Sequence, residues 1–129
     1  MNPLFFSKVY IYPSVLLHIS VFFYFPVVTW HIAVYTSDIN LAGTDANVLL
    51  TIYGKNKQGD YKKSDDIKLE NKGDNFEQAH KDEFKRETVD VGKPYKIRVA
   101  HDDSGLAPGW HLNKVELTNM VTKKMYTFK

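Results

Sequence analysis

Carboxylates able to hold a metal ion are gathered in one short stretch. Residues 101–110 read HDDSGLAPGW, so Asp102 and Asp103 stand beside two glycines, a proline and a leucine. A tight acidic loop between two extended runs offers hard oxygen ligands. That suits calcium, which takes roughly six to eight oxygens at about 2.3–2.6 Å. One loop cannot supply so many, and two further loops carry acids. Residues 37–45, SDINLAGTD, contain Asp38 and Asp45, and residues 71–75, NKGDN, contain Asp74. The connections of an antiparallel sandwich gather at its two ends, so these three loops can meet. The candidate calcium ligands are therefore Asp38, Asp45, Asp74, Asp102 and Asp103, with Gly43 and Thr44 able to add backbone carbonyls. The competing reading is that each aspartate accepts N–H groups of its own turn and remains in solvent.

The same loops carry apolar side chains that a turn does not need: Ile39 and Leu41 beside Asp38, and Leu106 beside Asp103. Apolar tips flanking a cation site suit contact with lipid headgroups, where buried apolar area supplies the binding energy at about 25 cal/mol per Å². Folded back over the end of the sandwich, they would do no more than cover it. Catalysis has weaker support. Ser104 follows His101 and Asp102 closely, but three residues of one turn rarely meet the geometry of nucleophile, base and orienter. The histidines, at 18, 31, 80, 101 and 111, lack the helical i, i+4 spacing of a metal-binding pair. There is no cysteine, which excludes thiolate zinc sites and cysteine nucleophiles. The formal net charge is +2, with acids and bases interspersed, so nucleic acid is not an expected partner. The expectation is a binding module and not an enzyme.

These loops need a frame, and 129 residues make one domain. Tyrosine and phenylalanine are abundant, which favours strands. Alternation places Trp30, Ile32 and Val34 on one face of a first strand, and Ala46, Val48, Leu50 and Ile52 on one face of a second. Residues 55–63 read as a surface turn, and Ile67 and Leu69 mark a short strand. Residues 76–89 fit a helix or a strand. Tyr95, Ile97 and Val99 share a face with His101, which predicts a structural histidine there. Leu112 and Val115 fall out of parity, which predicts a bulge between them, and Trp110 is expected to pack inside. Repeated short strands ended by Gly, Asn, Asp or Pro indicate an all-β antiparallel sandwich.

Residues 1–29 differ in composition. Residues 9–28, VYIYPSVLLHISVFFYFPVV, contain no Asp, Glu, Lys or Arg and approach the roughly 20 apolar residues that cross a bilayer. Pro13, His18 and Pro26 interrupt the run, and no small-residue cleavage pattern follows it. The expectation is a leader outside the fold, either a membrane anchor through residues 9–28 or an unstructured or non-native start.

The order Trp30-x-Ile32-x-Val34-x-Thr36, then GTDANVLLTIYG over residues 43–54, Phe76, Phe84 and IRVAHDDSGLAPGWHLNKVEL over residues 97–117, resembles the PLAT domain, or lipoxygenase homology domain. The resemblance covers residues 30–129 and is most like one repeat of the multi-PLAT lipoxygenase homology domain proteins. It implies a C2-like β-sandwich of two four-stranded sheets that docks on membranes or on protein partners, often with calcium. By the family motif, Asp45 of GTDAN and Asp102 of the HD loop are the implied calcium ligands. The family usually continues into a further Trp-containing strand edge, so a sandwich truncated at its last strand is expected. The implied role is a cytoplasmic module, peripheral at a membrane. The alternatives are a metal-independent protein-binding repeat linking membrane and cytoskeletal proteins, or a detached regulatory domain of a lipid-processing enzyme.

Overall fold

The computed structural model describes residues 4–11, 20–105 and 109–129, with side chains from residue 26 onward. Its elements are β1 (Leu4–Ile11), β2 (Ser20–Thr36), β3 (Val48–Lys55), β4 (Tyr61–Lys63), β5 (Ile67–Lys68), β6 (Lys81–Val89), β7 (Lys93–His101), β8 (Leu112–Asn119) and β9 (Met125–Phe128). They form two antiparallel sheets. In the first, β2 lies between β6 and β8, β9 adds outside β8, and β1 pairs with the upstream half of β2. In the second, β3 is central, with β7 along one side and β4 and β5 in succession along the other.

Alternation places the core. Trp30, Ile32 and Val34 of β2 meet Val48, Leu50 and Ile52 of β3 between the sheets, joined by Phe84, Val91, Val115 and Leu117. Each is buried, and a side chain of this kind contributes about 1.5–3 kcal/mol when fully buried. Ala46, ahead of β3, keeps the parity and is buried too.

Where alternation breaks, the backbone bulges. Tyr35 pairs with Lys114 but Thr36 pairs with Leu112, so Asn113 is the extra residue and both Leu112 and Val115 turn inward. A second bulge opposes Tyr53 and Gly54 to Lys96 and Pro94, leaving Tyr95 unpaired. Tyr95 is therefore exposed while Pro94 is buried, and the strand alternates inward again only at Ile97 and Val99. His101, at the strand end, is exposed as well. Residues 76–89 resolve into a turn followed by β6. The polar stretch 55–63 holds a turn at residues 56–60 and then β4. The first sheet also reaches upstream of Trp30: Val27, Val28 and Thr29 pair with Val89, Thr88 and Glu87, and Val28 is buried. Of the apolar stretch 9–28, the described residues 9–11 and 20–28 are extended, and among the described residues no helix is long and apolar enough to cross a membrane.

Candidate functional site

Three loops meet at the end of the sandwich where β2 finishes and β3 begins: residues 37–47, residues 69–80, and a third of which residues 102–105 and 109–111 are described. The first two are bonded along their length. Thr44 N–H donates to the Phe76 carbonyl (3.0 Å), Ala79 N–H donates to the Ser37 carbonyl (3.2 Å), and the Gln78 side-chain amide donates to the Asp38 carboxylate (3.1 Å). Gly43 makes this approach possible, because a Cβ there would stand 2.9 Å from the Phe76 carbonyl oxygen. The third loop is anchored by His111 N–H on the Ala42 carbonyl (2.8 Å) and by Trp110, whose Nε1 donates to Thr36 Oγ1 (3.0 Å) and whose ring packs 5.2 Å from Phe76. Trp110 is thus partly buried against the core.

Asp45, Asp74 and Glu77 bring carboxylate oxygens to within 4.8 Å of one another at this end. Asp45 and Asp74 are exposed and Glu77 is half-buried. Three carboxylates offer as many as six oxygens between them, a hard donor set without nitrogen or sulfur, which matches calcium chemistry. The residues present therefore fit such an ion. Glu77 was not anticipated from sequence. The signal for it is its position three residues after Asp74, on a turn tightened by positive φ at Phe76 (63°) and Ala79 (61°).

Among the described residues the other expected carboxylates, Asp38, Asp102 and Asp103, do not join this triad, although the third loop packs against it: a Cβ at Gly105 would stand 2.6 Å from Asp45 Cβ. Asp102 accepts from Asn47 N–H (3.0 Å), the Asn47 side-chain amide (2.7 Å), Ser104 N–H (3.0 Å) and the Ser104 hydroxyl. Both carboxylate oxygens are engaged, so Asp102 braces the third loop against the start of β3. Ser104 donates to it directly, with no histidine between them. Asp103 has positive φ (55°), and its N–H donates to His101 Nδ1 (3.2 Å). Asp38 holds Gln78. Thr44 is buried and its hydroxyl accepts from Ala46 N–H (3.1 Å). Ile39 and Leu41 are exposed on the first loop, and Leu106 lies outside the described residues.

The Ser104 hydroxyl, followed by the Asn47 amide, holds the Asp102 carboxyl well below the usual carboxylate range. In the unfolded chain this group protonates near the ordinary value of about 3.9. The depressed group contributes its stability above that value and loses it as pH falls toward the folded value. Asp102→Asn should therefore be less stable than wild type at about pH 7, with the gap narrowing by about pH 3. Urea midpoints at the two pH values check this, and a constant gap would show that Asp102 does not titrate as a brace.

The antiparallel two-sheet sandwich is the fold of the C2-like domains of lipoxygenases. Residues 30–129 match the PLAT/LH2 domain, and the chain belongs to that family. It is 37% identical over 77% of its length to lipoxygenase homology domain-containing protein 1 of Mus musculus, and 35% identical over 77% to the Homo sapiens protein. It spans about 4% of the length of each. Human polycystin-1-like protein 3 is 30% identical over 75% of this chain, which covers 5% of that protein. Among solved structures, coral 8R-lipoxygenase, described as calcium-activated through a C2-like domain, aligns with a TM-score of 0.67 and 27% identity. That alignment covers 78% of this chain and 14% of the lipoxygenase.

Proposed function

We propose that this chain is a non-catalytic targeting module that associates with a membrane surface, or with a membrane-associated protein, assisted by calcium at Asp45, Asp74 and Glu77. The observation that carries the reading is the convergence of those three carboxylates within 4.8 Å. Unscreened, such a cluster repels itself, and a bound divalent cation relieves that repulsion. When bound, calcium would draw the 37–47 and 69–80 loops together and offer a positive centre to anionic headgroups. Leu41, at φ 64° and 94% exposed, and Ile39, 49% exposed, would then supply apolar contact. The calcium-activated coral lipoxygenase supports the reading by likeness.

Thermal unfolding of the full chain tests it. Calcium at a hundredfold excess over its Kd should stabilise the wild type by about 2.7 kcal/mol relative to chelator. Asp45→Asn/Glu77→Gln should fold and lose that response. Leu41→Ser should keep the response and pellet less with vesicles. Melting that ignores calcium, together with vesicle pelleting that survives chelation, would leave the metal-independent protein-binding repeat ahead.

A further inference from the structure

The two outer faces of the sandwich treat their lysines differently. Residues directly opposed in an antiparallel ladder point to the same side of the sheet. On the first sheet, Tyr35 and Ala33 are flanked by Lys81, Glu83, Lys114 and Glu116. These charges neutralise one another: Lys81 pairs with Glu83 (3.2 Å), Lys114 with Glu116 (3.3 Å), and the Tyr35 hydroxyl donates to Glu116 (2.7 Å).

On the second sheet, Tyr53 stands between Lys63 and Lys96, Lys55 stands between Tyr61 and Lys93, and Arg98 opposes Thr51. Among the described residues none of these five cations forms an ion pair. Lys55 and Lys93 oppose each other directly, an arrangement that costs stability. Aromatic rings take the place of acids. Lys55 Nζ lies 5.1 Å from the Tyr61 ring, Lys96 Nζ lies 4.3 Å from Tyr53 and 6.0 Å from Tyr95, and Tyr61 and Tyr95 meet edge to face at 5.6 Å. Of the acids nearby, Asp66 takes the Thr51 hydroxyl, Asp60 accepts from the Asn56 side-chain amide, Asp90 accepts from Gly92 N–H, and Glu70 is held by Lys68. In a chain whose formal net charge is only +2, the cationic excess is thus local.

We propose that this outward face of the second sheet is a docking surface for an anionic phospholipid membrane, engaged without calcium. Charge complementarity selects an anion, and the arrangement selects a lipid surface over an acidic protein. The cations are mostly lysines, compact point charges, and they spread across β3, β4 and β7 instead of converging on one carboxylate. Tyr61 and Tyr95 are exposed, and tyrosine pairs an apolar ring with a polar tip as a bilayer interface requires. A second observation favours the same pole. Asp90 N–H donates to the Pro26 carbonyl (2.9 Å), so the apolar residues 26–28 join the sheet at the β6–β7 connection that leads into Lys93, the residue opposite Lys55. The acidic loop cluster lies at the opposite end of β3, so this surface does not depend on the metal site.

Co-sedimentation of the full chain in chelator, with phosphatidylcholine vesicles and with vesicles also containing phosphatidylserine, tests the proposal. Phosphatidylcholine alone corrects for the apolar stretch. The expected result is a preference for phosphatidylserine that declines with added salt. Lys55→Gln/Lys96→Gln/Arg98→Gln should weaken phosphatidylserine binding about a hundredfold, at roughly a fivefold loss per cation. Its phosphatidylcholine binding and calcium-dependent melting shift should be unchanged. Lys85 opposes His31 on the same side of β2 as Ala33 and Tyr35, so Lys81→Gln/Lys85→Gln/Lys114→Gln removes the same charge from the other face and should retain the preference. Equal losses in the two triple variants would overturn the proposal in favour of a net-charge effect. No phosphatidylserine preference in the wild type would overturn it and leave an acidic protein as the occupant of this face.

Discussion

Trp30→Ala is expected to destabilise the protein by about 3–5 kcal/mol, the range for removing a large aromatic side chain from a packed core. Trp30 is 1% exposed and lies on β2, the strand that pairs with both β6 and β8. Tyr126 approaches edge-on with ring centroids 6.3 Å apart, so loss of the indole also strips packing from β9. Its Nε1 donates to Thr88 Oγ1 (3.2 Å). Truncation does not orphan that hydroxyl, because Thr88 also donates to the Val89 carbonyl (3.0 Å). The loss is therefore one of burial and cavity, and Trp30→Phe, which keeps most of the volume, should cost much less. Urea unfolding monitored by far-UV circular dichroism separates the two. A Trp30→Ala variant as stable as Trp30→Phe would mean that the indole is not what joins the sheets.

That prediction uses the part of the molecule most legible in the sequence. A period of two identifies Trp30, Ile32 and Val34, and also Val48, Leu50 and Ile52, because an inward face admits few polar side chains. The parity slip between Leu112 and Val115 likewise announces the bulge at Asn113. Legibility fails where a residue's role depends on a contact distant in sequence. Tyr95 continues the alternation of Ile97 and Val99 on paper, yet a bulge opposite Tyr53 and Gly54 turns it outward to meet Tyr61. β4 is short and wholly exposed, so no hydrophobic pattern marks it, and pairing with β3 alone makes it a strand. At the acidic end, sequence indicates which loops carry acids but not which carboxylates are already engaged. Asp102 is occupied by Asn47 and Ser104, while Glu77 joins Asp45 and Asp74 only because Gly43 lets two loops close to contact.

Gly54→Ala should cost about 3 kcal/mol, at the upper end of the usual range for overpacking. Gly54 lies in β3 between Tyr53 and Lys55, and a Cβ there would stand 2.2 Å from the Val91 carbonyl oxygen and 2.9 Å from Val91 Cγ2. A side chain can rotate away from such a clash, but a carbonyl moves only with its backbone. Val91 is fully buried, and the following Gly92 holds φ at 81° with its own Cβ position 2.4 Å from the Lys55 carbonyl oxygen. Neither partner can yield without opening the end of the sandwich that carries Lys55, Lys93 and Tyr95. The strain should therefore persist in Gly54→Ala/Val91→Ala, which removes the Cγ2 contact and leaves the carbonyl in place. If Val91→Ala instead restored most of the stability lost in Gly54→Ala, the obstruction would be the side chain, and the backbones of β3 and the β6–β7 connection would have room to separate. Unfolding free energies of the two single variants and the double variant form the cycle that decides it.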